Sequence, residues 1–369
     1  MALEFDRQNI VPLWGAGGFD MSGDKSTAMM KAVVCLAPHA IAVESRPIAT
    51  RAQGEVLLKI ERVGICGTDY HIYEGQQPFL NYPRVIGHEL SATVVETPTS
   101  SRFQIGQQVV INPYIACGTC HACKIGKPNC CMNIAVLGVH RDGGMCEFVS
   151  LPERNLILAD GLTLDEAATV EFLAIGAHAV RRSGVSNGAK ALVVGAGPIG
   201  LGAAIFAQIA GAKVTLVDRD KDRLSLASAA TGITNTVIVD TNASASIMQA
   251  SDGDGFDAVF DATGNKASME QSFAHVAHGG TYVFVGLIKG DITFSDSEFH
   301  KREMTLMASR NATAIDFDHV IAAIKSKKVP IQKLLTHRTT LNKVVSDLPF
   351  WSSNKNGLIK ALVEISGND

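Results

Sequence analysis

Up to about residue 160, apolar stretches alternate with polar positions and are cut often by glycine and proline. Segments 30–34, 55–63, 86–95 and 108–111 read there as strands of an irregular β domain. Residues 164–180 then carry apolar positions at helical spacing. Past that helix, apolar runs at 191–194, 214–217, 236–239, 258–260, 281–285 and 305–308 read as buried strands. Helical segments lie between them, for example at 223–230 and 266–276. Strands alternating with helices predict a doubly wound parallel sheet, so the fold class is α/β. Beyond Arg310 come a helix at 317–324, a segment at 341–350 and a last strand at 359–365, assigned back to the first domain. The expected division is an extension over 1–28, a β-rich domain over 29–178 completed by 312–369, and a sheet domain over 179–311.

The run 191–194 leads into Gly195-Ala196-Gly197-Pro198-Ile199-Gly200, and an alanine-rich helical segment follows. Gly195 permits a tight turn, Gly197 lets the backbone approach a pyrophosphate, and Gly200 lets helix and strand pack closely. Pro198 and Ile199 open a helix whose unpaired N–H groups favour phosphate. The next run ends in Asp218, about 20 residues on, where a carboxylate accepts from an adenosine ribose. A 2′-phosphate would meet that fixed charge, so NAD is favoured over NADP, with Arg219 offsetting part of the repulsion or stacking on adenine.

The chain has 369 residues, 46% of them hydrophobic and 19% charged, enough for two full cores and too few charges for disorder. A net charge of -3 gives no reason to expect nucleic acid as a partner. No apolar run approaches the ~20 residues that span a bilayer. The start lacks a basic stretch followed by an apolar one, so it is not read as a secretory signal, and it is a poor transit peptide. It is read as an extension, or as a docking segment using Ile10, Val11, Leu13 and Trp14.

Of eight cysteines, Cys117, Cys120, Cys123 and Cys131 fall in one short lobe with CxxCxxC spacing. That spacing reads as a closed four-thiolate zinc site, structural because no position stays open. Cys130 competes with Cys131 as fourth ligand, since adjacent residues point apart. Thiolate zinc without an export signal also points to a reducing, cytoplasmic compartment. A second, dispersed set comprises Gly64-Ile65-Cys66-Gly67-Thr68-Asp69-Tyr70-His71 and Gly87-His88-Glu89.

Together with the glycine turn, these motifs resemble the zinc-dependent medium-chain alcohol dehydrogenases, from Met30 to Ile365. The resemblance implies a GroES-like β-rich catalytic domain beside a Rossmann domain. It implies that Cys66 and His88 ligate a catalytic zinc, with Glu89 beside them as an exchangeable ligand or neighbouring acid. Asp69 would orient the histidine ligand through its free ring nitrogen. Glu171 stands where the polyol branch carries Glu-Pro, which makes it the candidate third ligand, directly or through a water. Phe172 replaces that proline, a departure that would leave Glu89 closer to the metal. The stretches 82–89, 136–140, 284–287 and 309–313 are similar to the bacterial sugar-acid dehydrogenases of this branch, whose relatives act on L-gulonate, L-idonate and sorbitol-type polyols.

By the same resemblance, zinc polarises a substrate hydroxyl, NAD takes the hydride, and Thr68, a cofactor ribose hydroxyl and His71 relay the proton to water. Val285 and Leu287, at a strand end, would offer backbone groups to the nicotinamide. Arg310, just past the strand 305–308, would meet the cofactor or a substrate carboxylate. A non-catalytic dinucleotide-binding relative would have lost its ligands, whereas Cys66, His88, Thr68, His71 and Glu171 are all present. The family implies a homodimer or homotetramer, with 281–287 and its neighbours in contact.

Overall fold

A computed structural model describes residues 28–240 and 243–366. The extension over 1–28 and its docking residues Ile10, Val11, Leu13 and Trp14 lie outside them, Ala28 excepted. In the β-rich part, Glu55–Ile65 is the central strand, with antiparallel neighbours Glu89–Glu96, Phe148–Pro152 and Lys360–Glu364. Its valines, leucines and isoleucines are buried, while Lys59 and Arg62 stay partly exposed, which explains the charged edge on its apolar pattern. The C-terminal strands Leu335–Thr340 and Lys360–Glu364 join this same sheet.

The second sheet has six parallel strands. Numbered along the chain, their spatial order is 3-2-1-4-5-6, and the reversal falls beside the first strand, Lys190–Val194. The glycine turn therefore opens at the switch point where such sheets bind ligands. Helix Val170–Ser183 links the two parts and packs on helix Pro198–Ile209. A Cβ at Gly176 would lie 2.3 Å from the backbone of Gly202, so the crossing requires that glycine.

Three local differences from the sequence pattern bear on the site. The helix expected over 164–180 is two helices, Leu164–Ala168 and Val170–Ser183. The Thr169 hydroxyl and its N–H both donate to the Glu166 carbonyl, tightening the chain so that Glu171 begins a new first turn. The run 86–95 also divides. Arg84–Val85 pairs with Met29–Ala37, and Glu89–Glu96 pairs with Glu55–Ile65. Gly87, at φ 90°, bends the chain between them. The strand expected at 281–285 starts earlier, as Val276–Phe284, because His278, Gly279 and Gly280 hide its apolar pattern. Among the described residues no helix is long and apolar enough to cross a membrane.

Candidate active site

The four-cysteine lobe gathers Cys117, Cys120, Cys123 and Cys131, with all four sulfurs within 4.8 Å of one another. Individual separations are 3.4 Å for Cys117–Cys131, 3.5 Å for Cys120–Cys123 and 3.9 Å for Cys120–Cys131. A tetrahedral zinc with Zn–S bonds of about 2.3 Å sets sulfurs about 3.8 Å apart, so the donors fit that ion. A disulfide, at about 2.05 Å, is excluded. The backbone N–H of Thr119 and then that of Cys120, which donates to Cys117 Sγ at 3.4 Å, lower the Cys117 thiol to about 5. Cys131 joins the set and Cys130 faces solvent.

Strand pairing builds the second set. Gly64 lies opposite Glu89 in the antiparallel register, so Cys66, just past one strand, comes beside His88, just before the other. Ligand atoms of Cys66, His88 and Glu89 lie within 4.8 Å of one another. His88 is buried. That alone would lower its pKa, but Cys66, Asp69 and Glu171 around it hold it well above the ordinary value. Thiol, imidazole and carboxylate at this spacing suit a zinc ion with an open position.

Asp69 does not orient His88 through the ring. Its Oδ1 is 3.9 Å from His88 Nδ1, too far for a hydrogen bond, and that nitrogen has no partner among the described residues. Asp69 accepts instead from the N–H of Cys66 at 2.8 Å and of Gly87 at 3.1 Å. It thereby fixes the backbone beside both Cys66 and His88.

Glu89 is fully buried. Its Oε1 accepts from Lys360 Nζ at 2.5 Å, while Oε2 has no partner among the described residues. Lys360 also donates to the Ile65 carbonyl at 3.0 Å and stands 4.5 Å over the Phe172 ring. Phe172 thus supplies a face for the ammonium that balances Glu89. A Cβ at Gly64 would lie 2.1 Å from Glu89 Oε2, so Gly64 makes room for that carboxylate. Glu171 lies outside the Cys66–His88–Glu89 set and accepts from the Tyr114 hydroxyl. Burial, with the nearby Glu89, pushes its pKa up to about 7.

Lys360 and Tyr114 stand outside the motifs, and Gly64 stands inside one with no role that the pattern assigns it. A lysine inside the apolar strand 359–365 was the available signal, because a buried ammonium needs a carboxylate. Gly64 and Tyr114 carry none, since their roles come from strand register and tertiary packing.

Next to the metal set runs a cleft of about 1050 Å³, lined by Gly67, Gly195, Gly197, Asp218, Arg219 and Arg223 among others. Gly195 adopts φ 101°, and a Cβ on Gly200 would lie 1.8 Å from the Gly195 carbonyl oxygen. A Cβ on Gly197 would meet nothing within 4 Å, so the space above it is open to a pyrophosphate. Gly197 caps helix Pro198–Ile209, with Pro198 and Ile199 in its first turn. The shape and donors fit a dinucleotide. Asp218 Oδ2 accepts from the Ala196 N–H at 2.8 Å and lies 3.6 Å from Arg223, so it also ties the glycine turn to its strand. Arg223 is the cation that pairs with Asp218, whereas Arg219 is exposed.

Helix Gly67–Tyr73 carries half-buried Thr68 and exposed His71. Partial desolvation lowers the His71 pKa. Lys355 and Lys289 lower it further, and Glu74 opposes them. The Val285 N–H already donates to the Asp261 carbonyl at 2.9 Å, which leaves its own carbonyl to offer. The Leu287 side chain is exposed. Arg310 is exposed just past strand Thr305–Ala308, and its guanidinium makes no ion pair with a described residue.

Two metal-ligand sets beside a doubly wound sheet with an open phosphate turn define a zinc-dependent alcohol dehydrogenase. Residues 52–161 match the alcohol dehydrogenase GroES-like domain, and residues 198–326 match the zinc-binding dehydrogenase model. The chain belongs to the zinc-dependent medium-chain alcohol dehydrogenase family. A relative from Escherichia coli strain K12, L-galactonate-5-dehydrogenase, is 42% identical over 338 residues, covering 90% of this chain and 98% of its own. The 2-dehydro-3-deoxy-L-galactonate 5-dehydrogenase of Pseudoalteromonas atlantica is 32% identical, covering 87% of this chain and 94% of its own. An alcohol dehydrogenase from E. coli CFT073, solved with NADH, superposes with a TM-score of 0.86 at 27% identity, covering 91% of this chain and 99% of its own.

Proposed function

We propose that this dehydrogenase oxidises a secondary hydroxyl of a sugar acid to the keto acid with NAD, and that L-galactonate, giving D-tagaturonate, is its substrate. The observation that carries this reading is 42% identity to an L-galactonate-5-dehydrogenase over nearly the full length of both chains. In this reading Cys66, His88 and the unpartnered Oε2 of Glu89 hold the catalytic zinc, and the four-cysteine lobe holds a structural one. Glu171, kept by Tyr114 beside that set, is the carboxylate available for exchange with Glu89. When bound, zinc supplies a Lewis acid for the hydroxyl, and NAD accepts the hydride.

The residues do the rest. Gly197 and the first turn of helix Pro198–Ile209, with Ile199, hold the pyrophosphate. Asp218 takes the adenosine ribose, which favours NAD. The carbonyls of Val285 and Leu287 border the nicotinamide. Thr68 takes the substrate proton as it gives up its own into a relay, and His71 at the end of that relay passes a proton to water. Arg310 grips the substrate carboxylate with its planar fork. The functional division we assign is 29–178 with 312–369 for catalysis and 179–311 for the dinucleotide. A homo-oligomer would form through strand Thr305–Ala308, the sheet edge next to 281–284, because 281–284 is itself paired on both sides.

A panel of L-galactonate, L-gulonate, L-idonate and sorbitol, scored by NADH release and keto-acid identification, tests the assignment. L-Galactonate ranks first if it holds. Turnover confined to sorbitol would replace it with a polyol dehydrogenase, and no turnover with any of them would leave a dinucleotide-binding protein.

A further inference from the structure

The four-cysteine lobe is joined to the Arg310 turn by a buried polar lock. Asn129 lies two residues before Cys131 in the short turn Pro128–Cys130 and is 4% exposed. Its Nδ2 donates to the Arg310 carbonyl at 2.9 Å and faces His178 Nε2 at 3.3 Å. A return bond runs from Asn311 Nδ2 to the Asn129 carbonyl at 3.1 Å. Asn311 sits at φ 52°, a left-handed conformation that asparagine tolerates better than most residues.

Chemistry fixes the orientation of the Asn129 amide. His178 Nδ1 lies 2.8 Å from the Asp316 carboxylate, which can only accept, and 3.1 Å from the Arg181 guanidinium, whose N–H groups donate to that same carboxylate; the proton therefore sits on Nδ1 and Nε2 is left as an acceptor. The amide therefore has two acceptors before it, His178 Nε2 and the Arg310 carbonyl. Only its NH2 end can face them, and Oδ1 is left buried without a partner among the described residues. A flipped amide would set Oδ1 against the Arg310 oxygen. The chain Asp316–His178–Asn129 thus pins the carbonyl of Arg310, whose side chain is exposed and makes no ion pair with a described residue.

We propose that Asn129 is a positioning residue for Arg310: through it the four-cysteine lobe sets the direction from which Arg310 reaches the substrate carboxylate. This rests on the reading of Arg310 given above. The lobe, otherwise remote from hydride transfer, then contributes to substrate selection, and its loss is felt as raised KM rather than only as lost stability.

A double-mutant cycle tests it, with KM for L-galactonate, KM for the neutral polyol of matching configuration, the NADH Kd and zinc content measured for each form. Asn129→Ala keeps all four cysteines. It is expected to raise KM for the acid about tenfold, the scale of one buried hydrogen bond, with little change in kcat, polyol KM, NADH Kd or zinc. In an Arg310→Ala background the same change should add less than about twofold. Asn311→Gly retains the left-handed backbone, removes the return bond and shifts the acid KM in the same direction, which keeps the test open if Asn129→Ala fails to fold. Full additivity in the Arg310→Ala background, or equal losses for acid and polyol, would overturn the proposal. If Arg310→Ala alone leaves the acid KM unchanged, the reading of Arg310 fails and the proposal falls with it. If Arg310→Ala raises that KM and both asparagine variants do not, only the proposal falls.

Discussion

Glu89 and Gly64 show how much of the site is decided by single atoms. A methyl group at Gly64 would occupy the space of Glu89 Oε2, and Glu89 is fully buried with Lys360 on its other oxygen. Gly64→Ala should therefore displace the carboxylate, with an overpacking cost of about 1–3 kcal/mol read by thermal unfolding. The zinc of the Cys66–His88 set should become easier to chelate, while the lobe zinc does not. Equal chelation rates in wild type and variant would show that Glu89 is not a ligand. His71 supplies a second prediction. Its pKa lies below the usual imidazole value, so it is neutral and able to take a proton through neutral pH. Lys355 is one cause of that lowering, so Lys355→Gln should move the acid limb of kcat to higher pH, and His71→Asn should remove the limb. A limb that stays in place in His71→Asn assigns the relay elsewhere. Asp218→Ser should weaken NAD and improve NADP in kcat/KM, and an unchanged preference would put the adenosine ribose elsewhere.

At the scale of elements, the Asp316 cluster ties helix Val170–Ser183 to helix Ala314–Lys325. Burial alone would raise the Asp316 pKa, but donors from His178, Arg181 and Thr313 hold it far below the usual carboxylate range. A depressed folded-state pKa contributes stability that is present above the unfolded value of about 4 and is lost as pH falls through the folded value. Asp316→Asn should cost about 2–4 kcal/mol at pH 7 by denaturant unfolding, and the gap from wild type should close progressively below about pH 4. A gap independent of pH would show that the charge of Asp316 is not what stabilises the cluster. The four-cysteine lobe behaves as a different kind of element. Cys117→Ser should remove one of two zinc ions and lower stability, and retention of both ions with unchanged unfolding would refute a structural site there.

For the whole molecule, periodicity and motif spacing made the fold legible. The alternation after residue 162 announced the parallel sheet, and CxxCxxC announced the lobe, because short-range chemistry carries both signals. The GroES-like assignment came with the family resemblance. What stayed hidden depends on partners distant in sequence. Lys360 meets Glu89 across 271 residues, and Asn129 meets Arg310 across 181, separations that no local pattern encodes. The family resemblance implies that Asp69 meets the His88 ring, whereas it accepts from the N–H groups of Cys66 and Gly87, a choice of partner that only the folded backbone decides. Phe172 was visible as a departure from the branch, yet its place under Lys360 needed the fold.

The central claim is that a zinc- and NAD-dependent site selects a sugar acid. The most direct measurement is kcat/KM for L-galactonate against the neutral polyol of matching configuration, with NAD, on one preparation whose zinc content is known. Two zinc ions per chain and a preference for the acid of about 30-fold or more, the scale of one desolvated charge pair, are expected. Equal kcat/KM for acid and polyol in a fully loaded protein would contradict the account.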